Sequence, residues 1–214
     1  MNNGFPDYIV VEGPVGVGKT SLAKRLSTTF NTELMLESVS DNPFLSRFYE
    51  DPKATALPTQ LYFLFQRAKQ IESLRQTDMF KPVQIADFLI EKDKLFAQVT
   101  LSNDEYDLYQ QVYDRMTLEV PVPDLVIYLQ APVNILHKRI VERGIDYEKH
   151  IDEGYLKNIA EAYVAFFYNY TTAPLLIVNT VDFDLVNGSH NYDVLIEHIH
   201  KLPPGKHYFN PKEI

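Results

Sequence analysis

The sequence predicts an α/β fold, in which one parallel sheet of five strands is covered by helices on both faces. Short apolar segments typical of strands alternate along the chain with segments of helical periodicity, which favours a parallel sheet. Residues 124–129 are almost continuously apolar, as expected of a parallel strand buried on both sides. With 214 residues, 45% of them hydrophobic, the chain can bury a sizeable core. We therefore expect a single domain over residues 1–214.

Each element is predicted by its own pattern of apolar residues. Strands are expected in the short apolar runs, at residues 8–11, 33–36, 82–86, 124–129 and 175–178. Helices are expected where apolar residues recur every three or four positions, from Lys19 to about residue 30, between Pro132 and Gly144, and at 59–77, 104–119, 155–170 and 191–201. A polar stretch predicts a small mobile lid at about residues 143–153, and the segment that begins with two prolines predicts an irregular tail at about 203–214.

One motif points to specific chemistry. Residues 13–20 fit the phosphate-binding pattern G-x-x-x-x-G-K-[ST] and lie between a predicted strand and a predicted helix, as that pattern requires. Glycines let backbone N–H groups converge on an anion, and the helix beginning near Lys19 adds the positive end of its dipole. Lys19 can reach the β and γ phosphates, and Thr20 can occupy one position around Mg²⁺. The predicted nucleotide-binding residues are Gly13, Pro14, Val15, Gly16, Val17, Gly18, Lys19 and Thr20.

Composition excludes several other classes of function. The chain has 20 basic and 29 acidic residues, and its net charge of -9 argues against a nucleic-acid partner. It has no cysteine, so disulfides, thiolate metal sites and cysteine nucleophiles are excluded. No apolar run approaches the length of a membrane span, and the start lacks the pattern of a signal peptide. We expect a cytoplasmic protein without a membrane partner.

Two acidic residues follow predicted strands at the edge where open α/β sheets bind their ligands. Glu37 comes after the second strand and Asp87 after the third, so both are candidate site residues. Two carboxylates near a triphosphate loop suggest one for the acceptor and one for the metal side. An exposed acid at a strand end is the alternative interpretation of Glu37.

Two pairs of polar residues have helical spacing. Gln60 and Arg67 lie two turns apart beside an apolar stripe, where they either read the edge of a base or stay solvated at the border of the core. Arg139 and Arg143 share the last turns of one helix. They either serve the adjacent lid or are solvated charges favoured by the helix dipole.

Taken together, these residues resemble the deoxyribonucleoside kinases, which phosphorylate the 5′-hydroxyl of deoxynucleosides in nucleotide salvage. The resemblance covers roughly residues 8–200 and implies a P-loop kinase fold, ATP as the donor, Mg²⁺ and a homodimer. It implies that Glu37 is the general base. It also implies that Lys19, Arg139 and Arg143 are the other catalytic residues, which hold the transferring phosphoryl group.

The resemblance also implies a set of substrate residues. Tyr49 and Glu148 meet the sugar 3′-hydroxyl, and Gln60 pairs with the base. Arg67, with an acid such as Asp93 nearby, is similar to members that accept deoxyadenosine, deoxyguanosine or deoxycytidine. A purine deoxynucleoside is therefore the expected acceptor. The full set is Glu37, Tyr49, Gln60, Arg67, Asp87 and Glu148.

Two positions depart from the family pattern. The family usually has an acid followed by arginine after the third strand, whereas this chain has Asp87 and Phe88, so Asp87 matches either the acidic or the arginine position. Ile145 stands where some members have a third arginine in the lid. Less positive charge around the phosphoryl group predicts modest turnover.

Two other functions remain possible from the residues alone. A nucleoside monophosphate kinase would need an additional basic cluster for the phosphate of its acceptor, and no clear cluster lies between residues 37 and 75. A nucleotide-dependent switch that transfers nothing would require an N-K-x-D motif to read guanine, and the sequence has none.

Overall fold

A six-stranded parallel sheet forms the centre of the fold. The computed structural model describes residues 6–75, 84–116, 120–183 and 190–211. The strands are β1 (Tyr8–Glu12), β2 (Glu33–Met35), β3 (Gln84–Ala86), β4 (Leu125–Gln130), β5 (Leu175–Asn179) and β6 (Lys206–Phe209). They are ordered β2-β3-β1-β4-β5-β6, and every neighbouring pair is parallel. This confirms the predicted α/β class.

Eight helices connect and cover the strands in the described part of the chain. They are α1 (Lys19–Phe30), α2 (Leu45–Glu50), α3 (Pro52–Arg75), α4 (Lys92–Thr100), α5 (Asn103–Arg115), α6 (Val133–Arg143), α7 (Glu153–Tyr168) and α8 (His190–His200). Short 3-10 turns occur at Val39–Asp41 and Asp146–His150, the second of them inside the predicted lid. No helix among the described residues is both long enough and apolar enough to cross a membrane.

Both faces of the sheet are buried. On one face, alternate strand residues such as Ile9 and Ile127 pack against α1, α6 and α8. On the other face, Val10 and Val126 pack against α4 and α7. Because successive strand residues point to opposite faces, a strand covered on both sides needs a continuous apolar run. That is why the central strands could be recognised in the sequence.

The sixth strand corrects the prediction of five strands. Lys206–Phe209 pairs with β5 inside the segment that we expected to be irregular. Only Phe209 of this edge strand is buried, so the sequence there has no apolar run to indicate a strand. The Lys206 ammonium donates hydrogen bonds to the carbonyl oxygens of Phe167 and Tyr168, which ties the strand to the end of α7.

The helix boundaries differ from prediction mainly in α3. This helix begins at Pro52, seven residues before the predicted start, and contains Pro58 within its span. Three predicted boundaries include residues outside the described part of the chain: the end of the helix at 76–77, the start of the strand at 82–83 and the end of the helix at 117–119.

Candidate active site

The predicted phosphate-binding loop joins the end of β1 to the start of α1. β1 lies between β3 and β4, so the loop leaves the sheet where the strand order reverses, which is the usual ligand position in open α/β sheets. Gly16 has a φ of 82°, and an added Cβ would lie 2.7 Å from the carbonyl oxygen of Leu136. Glycine is therefore required at this position, both for its backbone conformation and for the close packing against α6.

Lys19 lies over the loop in the described structure. Its ammonium donates to the carbonyl oxygens of Gly13 at 2.8 Å and Pro14 at 3.2 Å. Burial, followed by the charge of Lys92, lowers the pKa of Lys19. Among the described residues this ammonium has only main-chain hydrogen-bond partners. A partly buried cation whose hydrogen bonds go only to the main chain favours the binding of an anion.

Asp87 connects the loop to the predicted base. One carboxylate oxygen of Asp87 accepts a hydrogen bond from the Thr20 hydroxyl at 2.6 Å, and the other accepts from the backbone N–H of Glu37 at 2.7 Å. Asp87 thus faces the hydroxyl of Thr20, the last residue of the motif. Of the two alignments left open by the sequence, the geometry favours Asp87 at the acidic position, with Phe88 in place of the arginine.

Glu37 is held between two cations. Arg67 contacts one carboxylate oxygen, and the ammonium of Lys92 lies 2.8 Å from the other. Burial alone would raise the pKa of Glu37, but the charges of Arg67 and Lys92, with the hydrogen bond from Lys92, lower it to about 2. Glu37 is therefore an ionised carboxylate inside the site and not the solvated acid of the alternative interpretation.

Arg67 is shared by two carboxylates. Besides Glu37, its guanidinium contacts Asp93, which is fully buried at the start of α4. The central carbon of its guanidinium lies 5.0 Å from the ring centroid of Phe63, within the range of a cation–π interaction. Arg67 is 4% exposed, so the second interpretation of this residue, a solvated charge at the core border, does not hold.

The expected substrate residues share one cavity of about 550 Å³ with the loop. Gln60, Tyr49 and Glu148 line this cavity, together with Lys19, Thr20, Glu37, Arg67, Asp87 and Arg143. Gln60 is 3% exposed, and its side-chain amide makes no hydrogen bond to any described residue. An amide that is buried in a cavity wall without a partner is suited to pairing with a polar ligand.

The two arginines of α6 have different partners. Arg143 donates to both carboxylate oxygens of Glu148 at 2.7 and 2.6 Å, which ties the end of α6 to the Asp146–His150 turn. The guanidinium of Arg139 instead donates to Thr180, at 2.9 Å to the hydroxyl. Arg139 is absent from the cavity wall in the described structure. The structure therefore brings Arg143, but not Arg139, together with the other predicted catalytic residues.

Sequence reasoning missed two charged residues. Lys92, beside Glu37, stands among alternating charges that look like a solvated helix face, so the sequence contains no signal for it. Glu12 is the last residue of β1 and is fully buried. It accepts hydrogen bonds from the N–H groups of Gly13 and Leu89 and from the Tyr163 hydroxyl. The sequence did contain a signal for Glu12, namely an acidic residue at the end of an apolar strand and immediately before the loop.

It also missed the aromatic lining of the cavity. Tyr147 stacks on Tyr49, with ring centroids 6.3 Å apart and planes inclined by 6°. Further aromatic residues of the wall are Phe48, Phe63, Phe96 and Tyr155. Several flat apolar side chains around one unpaired amide form a pocket that is suited to a planar, partly polar ring.

The residues present fit a nucleoside triphosphate and Mg²⁺. The main-chain-bonded Lys19 ammonium at the helix N-terminus fits the phosphates. Thr20 offers a hydroxyl oxygen of the kind that Mg²⁺ prefers. The described residues contain no cluster of three or more His, Cys, Asp or Glu side chains that could hold a metal ion. That phosphates and water supply the other ligands of Mg²⁺ stays a prediction.

A phosphate-binding loop that shares a cavity with a buried carboxylate and an aromatic pocket defines a phosphotransferase of the P-loop class. The family model for deoxynucleoside kinases matches residues 9–203, and the chain belongs to this family. It is thus a deoxynucleoside kinase that uses a nucleoside triphosphate as phosphoryl donor. This confirms the resemblance seen in the sequence.

Individual relatives agree with this assignment. The chain is 36% identical over 201 residues to a deoxyguanosine kinase of Bacillus subtilis (strain 168), covering 91% of this chain and 97% of that protein. It is 28% identical over 199 residues to the deoxyadenosine/deoxycytidine kinase of the same organism, with coverage of 89% and 90%. A solved structure of deoxyadenosine kinase from M. mycoides with bound dATP superposes with a TM-score of 0.76 and 26% identity, covering 89% of this chain and 97% of that one.

Proposed function

We propose that the chain transfers the γ-phosphoryl group of ATP to the 5′-hydroxyl of a purine deoxynucleoside, with Glu37 as the general base. One observation supports this most strongly. The Glu37 carboxylate, the phosphate-binding Lys19 and the unpaired Gln60 amide line the same cavity. ATP bound at the loop and a deoxynucleoside bound against Gln60 would then meet beside Glu37.

Each residue has a distinct part in the transfer. Glu37 accepts the proton as the 5′-oxygen attacks the γ-phosphorus in line, and the bond from that phosphorus to the bridging oxygen breaks so that ADP leaves. Lys19 and Arg143 balance charge on the transferring group. Asp87 holds the Thr20 hydroxyl in place. Mg²⁺ bound at that hydroxyl would add positive charge beside the phosphates. Phosphoryl transfer depends mainly on positioning and electrostatics, which is what these contacts provide.

The charges at the acceptor end support an uncharged acceptor. Arg67 is paired with Glu37 and Asp93, Lys92 with Glu37, and Arg143 with Glu148. A monophosphate acceptor would need a cation without a carboxylate partner for its own phosphate. Arg143 serves the transferring group in this proposal. Arg67 and Lys92, in contrast, lie beside Glu37 and are both paired, which argues against a nucleoside monophosphate kinase.

Gln60 and Arg67 support a purine base. The Gln60 amide has a donor and an acceptor on one group, so it can pair with two atoms on the edge of adenine. The Arg67–Asp93 pair beside it matches the pattern expected of members that accept purines or deoxycytidine. The similarity to deoxyguanosine and deoxyadenosine kinases agrees with this preference.

Tyr49 and Glu148 are proposed to select the sugar. Both line the cavity, and burial raises the pKa of the Tyr49 hydroxyl, which keeps it a neutral hydrogen-bond donor. They would recognise the 3′-hydroxyl. The homodimer, the cytoplasmic location, the limits of the single domain and its lid, and the catalytic role of Arg139 stay predictions.

A substrate panel tests the proposal. Nucleosides, 2′-deoxynucleosides, 2′,3′-dideoxynucleosides and deoxynucleoside monophosphates are incubated with ATP and Mg²⁺, and the products are identified. The expected product is a purine deoxynucleoside 5′-monophosphate. A diphosphate formed from a monophosphate would reject the assignment, and equal turnover of a dideoxynucleoside would reject the sugar role of Tyr49 and Glu148.

The Glu37→Gln variant tests the base. Removing a general base should lower turnover by ~10²-fold or more, with ATP binding retained. Binding is measured by titration calorimetry with the donor alone. Near-normal turnover in this variant would show that another group accepts the proton.

A further inference from the structure

Lys92 is a buried lysine in the cavity wall whose role in the reaction is not assigned above. It is only 3% exposed, and its ammonium lies 2.8 Å from Glu37 Oε2 and 3.9 Å from Glu12 Oε2. Lysine is almost never fully buried unless it is paired, because its charge is costly to remove from water. Two carboxylates meet that requirement here. The position of Lys92 beside Glu37 then needs its own explanation.

The fold fixes where Lys92 points. It is the first residue of α4, and its backbone N–H donates to the carbonyl oxygen of Leu89 at 3.2 Å. The backbone N–H of Leu89 in turn donates to Glu12 Oε2 at 2.7 Å. Glu12 therefore anchors the turn from which Lys92 projects, as well as the first glycine of the phosphate-binding loop. The loop and Lys92 are positioned by one carboxylate.

The two cations on Glu37 are not equivalent. Arg67 contacts one oxygen of Glu37 and is in direct contact with a second carboxylate, that of Asp93, whereas the second carboxylate near Lys92, that of Glu12, is 3.9 Å from its ammonium. Lys92 takes the other oxygen and restricts the carboxylate from the opposite side. Phe88 occupies the position where the family pattern has an arginine, and the Lys92 ammonium lies 6.0 Å from its ring centroid. Lys92 therefore supplies the positive charge that an arginine at position 88 would have supplied.

We propose that Lys92 is a positioning residue for phosphoryl transfer, which orients the Glu37 carboxylate and supplies the cation at the acceptor-oxygen end of the cavity. This inference rests on the proposed role of Glu37 as the base. The missing arginine then gives no reason to expect modest turnover, because Lys92 supplies the positive charge that the arginine would have supplied.

The electrostatic surroundings of Glu37 define what the removal of Lys92 would change. The charged groups that face Glu37 are Arg67 from α3, Lys92 from α4 and Lys19 from α1. The Asp87 carboxylate accepts from its backbone N–H. Without Lys92, burial would be opposed by fewer positive charges, so the pKa of Glu37 should rise. The pKa of Glu37 therefore reports the charge of Lys92, and the comparison of rates reports whether that charge assists the transfer.

The test compares Lys92→Met, Lys92→Arg and Lys94→Met, with kcat and KM measured between about pH 4 and 9. Lys94 is a matched control on the same helix, since its side chain is 39% exposed and pairs with Asp114 at 3.6 Å. Lys92→Met should lower kcat by ~10–100-fold, with little change in KM for ATP. In the unmodified enzyme the pKa of Glu37 is about 2, so its acid limb lies below the measured range. In Lys92→Met an acid limb of kcat/KM should appear above about pH 4. Lys92→Arg should recover much of the rate, and Lys94→Met should match the unmodified enzyme.

The proposal would be overturned if Lys92→Met shows no acid limb above about pH 4, or if Lys92→Arg is no more active than Lys92→Met. If Lys92→Met does not fold, Lys92→Gln keeps a hydrogen-bond donor without the charge, and the same predictions apply to it. Glu37→Gln is measured alongside. Near-normal turnover of Glu37→Gln would reject the proposed base, whereas loss in Glu37→Gln with full activity in Lys92→Met would reject only the role of Lys92.

Discussion

The hydroxyl of Tyr163 provides a quantitative test of the buried carboxylate behind the phosphate-binding loop. Tyr163 is a fully buried residue of α7, and its hydroxyl donates to Glu12 Oε1 at 2.8 Å. Tyr163→Phe removes this one donor and leaves the ring in place. Glu12 would keep the N–H groups of Gly13 and Leu89 and the charge of Lys92.

The expected loss follows from the kind of hydrogen bond removed. A hydrogen bond to a charged group contributes roughly 1.5–3 kcal/mol to the free energy of unfolding. Because Glu12 keeps other donors, we expect a loss of ~2 kcal/mol for Tyr163→Phe. In a chain of this size, each kcal/mol shifts the melting temperature by about 2–4 °C, which gives a decrease of about 4–8 °C.

Tyr109 offers a matched control. It is also a fully buried tyrosine, but its hydroxyl has no hydrogen-bond partner among the described residues. Tyr109→Phe should therefore leave the stability unchanged or raise it slightly, since an unpaired buried hydroxyl is removed. Urea unfolding without nucleotide, at one fixed protein concentration, measures both variants. Equal losses in the two, or a larger loss in Tyr109→Phe, would refute the reasoning from the Glu12 contacts.

Two further predictions concern the loop itself. Thr20→Val keeps the shape of the side chain but removes the hydroxyl held by Asp87. Turnover should fall by ~10-fold or more, and half-maximal activity should need more Mg²⁺. A Thr20→Ser variant that fails to restore the Mg²⁺ response would contradict this. Gly16→Ala should destabilise the protein by more than ~2 kcal/mol, since its Cβ would meet the Leu136 carbonyl oxygen. Gly144 also has a positive φ, of 69°, but an added Cβ there would have no atom within 4 Å, so Gly144→Ala should cost only about 1 kcal/mol. Similar melting temperatures for the two alanine variants would show that the close contact is relieved at little cost.

Much of the sheet could be predicted because it is buried on both faces. β4 and β5 were found within one residue of their observed ends, since both faces of these strands must be apolar. β6 could not be predicted in this way. It lies at the edge of the sheet and buries only Phe209, so its place depends on backbone pairing with β5, which leaves no periodic pattern in the sequence.

The site residues were predictable where position along the chain determines position in space. Glu37 and Asp87 follow neighbouring parallel strands, and parallel strands deliver their carboxyl ends to one edge of the sheet. Arg139 shows the limit of this reasoning. It does share the C-terminal part of α6 with Arg143, but the direction of its side chain is set by Thr180, which is 41 residues away along the chain.

The start of α4 explains why Lys92 escaped prediction while its neighbour Asp93 was noticed. Successive residues of an α-helix are turned by about 100°, so two adjacent side chains can enter one site from different angles. Lys92 reaches Glu37 and Asp93 reaches Arg67, and both are buried. Lys94 is turned by about 200° from Lys92 and is exposed. The same run of alternating charges therefore contributes to a buried ion network and to a solvated surface. The partners that decide between them, Glu37 and Arg67, are distant along the chain.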